Sequence, residues 1–303
     1  MTTPVRVLAF LAALAAVFAL ALGVGTAVGP IDEPAPAAHE DDAHGDTDTA
    51  AHDEGEVGLP AGLSVSEGGY TLRLAQTSAD AGARERVEFH VEGPDGAPVT
   101  AYDVEHGKRL HLIAVRRDLA GFQHVHPTLA DDGTWTARLD LEPGTWRLFA
   151  DFNPTGGVGT TLGADLSVAG DYRPAPAVED TRTARVGRYE VTLAGDLEPG
   201  TASELTLTVS RAGRPVTDLQ PYLGSYGHLV ALREGDLAYL HVHPEGSPGD
   251  GATPAGPEIS FVAEVPSSAR YRLFLDFRHD GVVRTAEIPV TSDAGHDDEE
   301  EHE

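Results

Sequence analysis

Apolar and polar residues alternate along most of the chain between residues 60 and 290, which is typical of short β-strands with one buried face. Gly, Pro and Asp clusters interrupt the pattern about every 8–12 residues, and no stretch has the stripe of an amphipathic helix. The alternation predicts an all-β fold of short antiparallel strands. It is clearest in Tyr70-Leu72-Leu74, Val87-Phe89-Val91, Leu110-Leu112-Ala114 and Trp146-Leu148-Ala150.

The β-rich region contains an internal repeat. Residues 99–127 and 216–244 align without a gap, with 11 of 29 positions identical. The motif WRLFADF at 146–152 also matches YRLFLDF at 271–277. About seven strands in a unit of about 100 residues predict an immunoglobulin-like β-sandwich. We therefore expect two tandem sandwiches, at residues 59–173 and 180–292, joined by a Pro-rich linker.

The N-terminus has a different character. Arg6 precedes an apolar run from Val7 to about Val28, close to the roughly 20 residues that a membrane helix needs. Residues 1–29 are predicted to be a signal peptide or a membrane anchor, with an uncleaved anchor slightly favoured. Either places the bulk of the protein outside the cytoplasm, at the cell membrane or secreted.

Charge and composition exclude several functions. The net charge is −28, with ten acidic residues in 31–57 and seven in 293–303. The acidic, His-containing linker at 30–58 and the tail at 293–303 are therefore predicted to be disordered. Nucleic acids are poor partners, because they require basic surface. Cysteine is absent and Met1 is the only methionine, which excludes thiolate and thioether metal sites. A metal would be held by His, Asp or Glu.

Each repeat has three histidines in the pattern H-x12-H-x-H-P: His111, His124 and His126, then His228, His241 and His243. Residues two apart on a strand point to the same face. A hairpin turn near Asp118 places His111 opposite His126, with His124 on the diagonal, and a turn near Asp236 does the same in the second repeat. Three imidazoles can then converge, and neutral imidazole is a common ligand of Zn(II) and Cu(II).

Two aspartates at matching positions, Asp151 and Asp276, are predicted either as a fourth ligand or as acceptors that orient a histidine ring. A carboxylate that caps turn amides is the structural alternative. The histidines have one too, since a hydrogen-bonded cluster can brace a hairpin without metal. His90, His106 and His279 have no counterpart in the other repeat and are expected to be exposed or incidental.

The motifs HLxxVRxDLxxFxHVHP and WRLFADF, after an N-terminal apolar segment, resemble a group of exported or membrane-anchored actinobacterial proteins with tandem β-rich repeats. The resemblance covers most of residues 65–290 and implies no biochemical activity. His-Val-His on a sandwich strand is also similar to copper ligands of copper–zinc superoxide dismutases, over three residues only.

These observations predict an extracytoplasmic protein that binds one Cu(II) or Zn(II) per repeat, for metal buffering, delivery or resistance. Its expected partners are metal ions and envelope metal-transport proteins, with the membrane contacted through the N-terminal segment. The main alternative is an envelope interaction or adhesion module without metal. A metalloenzyme with an open three-histidine site is the third possibility, but no general base or oxyanion donor is shared by both repeats.

Overall fold

The structure is a computed structural model that describes residues 59–292, except the side chain of His241. The predicted anchor or signal segment, the acidic linker at 30–58 and the tail at 293–303 lie outside the described residues. All of residues 59–292 fall within one compact unit. No helix within this range is long and apolar enough to cross a bilayer.

The first repeat contains ten strands, which form two five-stranded sheets with the orders β1-β2-β4-β8-β7 and β3-β10-β9-β5-β6. Their bounds are β1 Ser66–Glu67, β2 Tyr70–Leu74, β3 Ser78–Ala79, β4 Gly82–Glu92, β5 Leu110–Arg116, β6 Gln123–Val125, β7 Thr128–Leu129, β8 Trp135–Leu141, β9 Gly144–Phe152 and β10 Thr160–Val168.

The second repeat follows the same plan, with the sheet β11-β12-β13-β18-β17, to which β14 is added, and the sheet β16-β15-β19-β20. Its strands are β11 Thr183–Val186, β12 Tyr189–Ala194, β13 Ala202–Arg211, β14 Arg214–Pro215, β15 Gly227–Arg233, β16 Tyr239–His241, β17 His243–Pro244, β18 Glu258–Glu264, β19 Arg270–His279 and β20 Val282–Thr291.

The strand order identifies the sandwich type. In the first repeat, β2-β4-β8-β7 faces β10-β9-β5-β6, which is the A-B-E-D and G-F-C-C′ arrangement of immunoglobulin-like domains. The short β3 adds in parallel to β10, whereas the other pairings in these sheets are antiparallel. The protein therefore consists of two immunoglobulin-like β-sandwiches in tandem, as the alternation predicts.

Each sandwich has its own apolar core, filled by alternate residues of its strands. In the first repeat, Leu110, Leu112 and Ala114 of β5 point into this core together with Trp146 and Leu148 of β9. The intervening residues on the same strands would ordinarily face water. Instead every residue of β5 is buried, so the outer face of this sheet must also be covered.

The outer faces of the two repeats cover each other. A third apolar cluster, here called the inter-repeat core, draws residues from both sandwiches: Ile113, Val115, Leu119, Phe149, Val230, Leu232, Leu237, Tyr239 and Phe274. Phe122 stacks on Phe274 across it, with ring centroids 3.9 Å apart. Burial of each such side chain contributes about 1.5–3 kcal/mol, so the two sandwiches pack as one body.

The turns and the linker also hold this arrangement. Leu119 and Leu237, in the turns before β6 and β16, have left-handed backbone conformations with φ of 65° and 64° and contribute buried side chains to the inter-repeat core. A leucine in that region is strained, and its burial offsets the strain. The carboxylate of Asp118 accepts hydrogen bonds from Arg116 and from the backbone N–H of Ala175 in the linker. The linker is thereby fixed to the first repeat.

Candidate functional site

The histidine site lies at one end of the inter-repeat core. His111 is the first outward-facing residue of β5, on the same face as Ile113 and Val115, and His228 holds the equivalent position on β15. Because these faces pack against each other, the two rings meet: their centroids are 5.5 Å apart and their planes differ by 8°. His111 is 4% exposed and His228 is 7% exposed.

His124 joins them from β6. Leu112 pairs with Val125 and Ile113 with His124, which is the register predicted from the position of the turn. The cross-strand pairing places the His124 ring on the outer face, where its Nε2 lies 3.0 Å from Nδ1 of His111. Its other nitrogen, Nδ1, lies 2.8 Å from Oδ2 of Asp276 in the second repeat.

One nitrogen of each of these three rings, His111, His124 and His228, lies within 4.8 Å of the others, so the group has the spacing needed to share one ion. The group is well shielded from solvent, with the His124 side chain 1% exposed and that of Asp276 3% exposed. Both repeats supply members of the group, and it is complete only when they are docked.

The hydrogen-bond partners of the two first-repeat rings assign one nitrogen of each ring as a donor. A carboxylate only accepts, so Nδ1 of His124 carries a proton and donates to Asp276, and Nε2 is the nitrogen of this ring that is placed to bind a cation. Nε2 of His111 lies 3.3 Å from the carbonyl oxygen of Glu105, which also only accepts, so this nitrogen donates as well. The two remaining nitrogens, Nδ1 of His111 and Nε2 of His124, face each other at 3.0 Å. A cation between them, either a proton or a metal ion, can bind to both.

The 3.0 Å distance between Nδ1 of His111 and Nε2 of His124 also suits two ligands of one metal ion. Nitrogens bound at about 2.0–2.1 Å to a tetrahedral Zn²⁺ are about 3.3 Å apart, and a right-angled arrangement brings them closer. The Asp276 carboxylate then occupies the position of an outer acceptor that holds a ligand ring and increases its basicity. Thr285 donates to the other carboxylate oxygen, which fixes Asp276 in turn.

The two aspartates make crossed contacts between the repeats. Asp276 lies opposite His228 in the β15–β19 register but accepts its hydrogen bond from His124 of the first repeat. Asp151 lies opposite His111 in the β5–β9 register, and its partners are Thr161 and the Tyr239 hydroxyl of the second repeat. Burial, followed by the Asp151 carboxylate, raises the pKa of Tyr239 well above its usual value.

His126 and His106 lie around this group. The His126 ring is 5.1 Å from that of His111 and 4.9 Å from that of His124. Burial, followed by the charges of His124, His111 and Lys108, lowers the pKa of His126 to about 3, so its ring is neutral near pH 7. His106 lies in the turn before β5, with its ring 6.2 Å from that of His111 and 5.9 Å from that of His228.

The sequence predicts two separate three-histidine sites, whereas the ring nitrogens that the structure brings together belong to His111, His124 and His228, from both repeats. His228 lies beside His111 and His124 because the outer faces of β5 and β15 pack together. His243 is exposed on β17, which pairs with β18 in the opposite sheet of its sandwich. The backbone of His241 pairs with that of Val230, but the structure does not describe the His241 side chain. Asp151 is not a member of the shared group.

Two histidines that the sequence presents as incidental are not exposed. His279 is 5% exposed, with its ring nitrogens 2.7 Å from the Tyr189 hydroxyl and 3.0 Å from Asp218. His106 borders the shared group, although its counterpart in the second repeat is Leu223. Alignment of the two repeats does not point to His106, because only residues present in both repeats stand out in such an alignment. A single site shared by both repeats can include a residue that occurs in one of them alone. Its position five residues before His111 was the available signal.

The molecule is therefore a tandem immunoglobulin-like protein with a histidine cluster buried between its repeats. It belongs to the family described as "Domain of unknown function (DUF8832)", whose model matches residues 64–170 and 184–294, one copy on each repeat. No curated protein matches the sequence significantly.

Solved structures that resemble the chain include two bacterial adhesins. One is the Escherichia coli adhesin FdeC, with 18% identity, a TM-score of 0.26, and coverage of 76% of this chain and 66% of the adhesin chain. The other is the Yersinia pseudotuberculosis adhesin InvE, with 14% identity, a TM-score of 0.21, and coverage of 76% and 60%. The chain thus spans about two thirds or less of either structure. At these TM-scores the likeness gives no argument about function.

Proposed function

We propose that the protein binds one divalent metal ion between its two repeats, through His111, His124 and His228. The observation that carries the proposal is the 3.0 Å contact between Nδ1 of His111 and Nε2 of His124, two ring nitrogens whose rings are held from the opposite nitrogen by Glu105 and Asp276. His228, the third member of the group, is supplied by the other sandwich.

The donor set limits the metal. Three imidazoles without any sulfur ligand suit Zn(II) or Cu(II), and a carboxylate behind one ring is common at such centres. A three-histidine set leaves a further coordination position, for which water and the nearby His106 are the candidates. No residue of the group is placed as a general base, so we propose binding rather than catalysis.

We further propose that the protein binds this metal ion outside the cytoplasm, either attached to the membrane through its N-terminal segment or secreted. An ion buried between two docked sandwiches is held more firmly than one on a flexible histidine-rich tract, which suits storage, resistance or delivery to an envelope metal-transport protein. The apolar run at residues 7–28 supports export.

Metal titration of the full-length protein tests the proposal. The acidic segments outside the sandwiches also contain histidines and will collect ions weakly, so variants are needed to isolate the folded site. We expect one tight Zn(II) or Cu(II) per chain by equilibrium dialysis, lost in His111→Gln and in His228→Gln. His243→Gln is the matched control, because this histidine is exposed on β17 and outside the group.

Two results would overturn the proposal. Tight binding that persists in both His111→Gln and His228→Gln would place the ion elsewhere. Two tight ions per chain, with one lost in His243→Gln, would instead restore a separate site in each repeat.

The second candidate is an interaction or adhesion module of the cell envelope in which the histidines only brace the interface. The supporting observation is that His124 already contacts the protein through both ring nitrogens, with His111 on one side and Asp276 on the other. A shared proton could satisfy this contact as well as a metal does. Thermal stability that is equal in chelator and in excess metal would favour this candidate.

A further inference from the structure

A cavity of about 490 Å³ adjoins the histidine cluster on the first repeat. Its walls combine apolar and polar side chains, and its volume lies within the usual range for small-molecule sites, about 300–1,000 Å³. It lies between the turn that precedes β5 and the segment from β6 to β8. The lining residues used below are Lys108, Arg109, Leu110, His126, Leu129 and Trp135.

Two cationic residues that are adjacent in sequence, Lys108 and Arg109, line this cavity. Lys108 is the only lysine in a chain with a net charge of −28. Neither Lys108 nor Arg109 forms an ion pair with another residue in the 59–292 range, whereas Arg116, Arg233 and Arg272 all pair with carboxylates. The positions equivalent to Lys108 and Arg109 in the second repeat hold Ser225 and Tyr226. An unneutralised positive pair on an acidic protein attracts an anion.

His126 gives a second, independent indication. Its Nε2 is buried and has no hydrogen-bond partner among the described residues. A buried polar atom without a partner is costly, and such atoms commonly mark a ligand or water site. The group of His111, His124 and His228 does not account for this unpartnered atom, because no nitrogen of His126 is among those that converge there.

We propose that this cavity binds a small carboxylate with an apolar body. Lys108 and Arg109 would pair with the carboxylate, and His126 would supply a hydrogen bond. Leu129, and the parts of the core residues Leu110 and Trp135 that line the cavity, would contact the apolar part. A guanidinium and an ammonium are the usual partners of a carboxylate in such sites. The proposal does not depend on metal binding, since none of its residues belongs to the group of His111, His124 and His228.

Titration of the chelator-treated, full-length protein with cyclohexanecarboxylate tests the proposal, with cyclohexanecarboxamide as the uncharged analogue. Tryptophan fluorescence reports binding directly, because Trp135 lines the cavity, and calorimetry gives the stoichiometry. We expect one saturable site per chain, with the acid bound about tenfold more tightly than the amide. The double variant Lys108→Gln/Arg109→Gln should bind the acid about tenfold more weakly and bind the amide unchanged.

Arg214→Gln is the matched control, because it removes an exposed cation on β14 in the second repeat and should leave both affinities unchanged. The same titration in His111→Gln separates the two proposals: carboxylate binding should persist where metal binding is lost. Equal affinity for acid and amide, absence of a saturable site, or an unchanged affinity in Lys108→Gln/Arg109→Gln would each overturn the proposal.

Discussion

His111 and His228 hold equivalent positions in the two repeats, yet they do not form equivalent sites, because their rings stack on each other with centroids 5.5 Å apart and an interplanar angle of 8°. Stacking of equivalent residues makes the cluster a property of the docked pair of sandwiches. Docking and metal binding should therefore be thermodynamically linked.

Metal should raise the thermal stability of the intact pair. A ligand that binds only the folded protein stabilises it by about 2.7 kcal/mol at 100 times its Kd. For a folded part of this size, each kcal/mol raises Tm by about 2–4 °C, so a shift of about 5–10 °C is expected. Differential scanning calorimetry in excess Zn(II) and in chelator measures it. The shift should vanish in His228→Gln and remain in His243→Gln; an equal shift in both variants would contradict the shared site.

Asp276→Asn should weaken metal binding without changing its stoichiometry. The carboxylate holds Nδ1–H of His124, and loss of such an outer acceptor commonly costs about 10–100-fold in metal affinity. Asp151→Asn is the matched control, because Asp151 has the equivalent strand position but contacts Thr161 and Tyr239 instead. Competition with a chromophoric chelator gives both affinities. Equal weakening in the two variants would show that the effect is general loosening of the interface.

Much of this fold follows from periodicity. The alternation in β2, β4, β5 and β9 predicts the strands, and the repeat predicts two sandwiches. The turn position predicts the β5–β6 register, because β5 and β6 follow each other in the sequence and are joined by a short hairpin turn. These features depend on contacts within one repeat, which the sequence of that repeat largely determines.

The shared site could not be predicted in the same way, because it depends on how the repeats dock. The available signal was that β5 carries apolar residues on both of its faces. Ile113 and Val115 lie on one face and Leu112 and Ala114 on the other, so neither face is polar. A strand buried on both faces reads as a continuous apolar run. That pattern indicates a covered outer face, but it does not identify the other repeat as the cover.

Phe274→Ala should loosen the inter-repeat core. Phe274 is 1% exposed and stacks on Phe122 of the other sandwich. Removal of a buried phenylalanine side chain costs about 3–5 kcal/mol. Phe261→Ala is the matched control, since Phe261 is 0% exposed but lies in the core of the second sandwich alone. Both variants should be destabilised to urea, but metal affinity should fall more in Phe274→Ala. Equal metal affinity in the two would argue against a site that depends on docking.

The stability of the metal-free protein should fall as the pH is lowered below about 6.5, in part through His126. Burial lowers the pKa of this ring from 6.5 to about 3 in the folded protein. Between these values the unfolded chain binds a proton that the folded protein does not, so unfolding becomes easier as the pH falls. The sign is that of a buried neutral histidine, opposite to that of a histidine stabilised by a carboxylate.

His126→Gln should therefore reduce the dependence of unfolding free energy on pH between about 6.5 and 3, because glutamine does not titrate. Urea denaturation in chelator at several pH values measures this slope. His90→Gln, on β4 in the opposite sheet of the same sandwich, controls for the removal of one histidine. A steeper slope in His126→Gln than in the parent protein, or the same reduction in His90→Gln, would show that burial of His126 is not the cause.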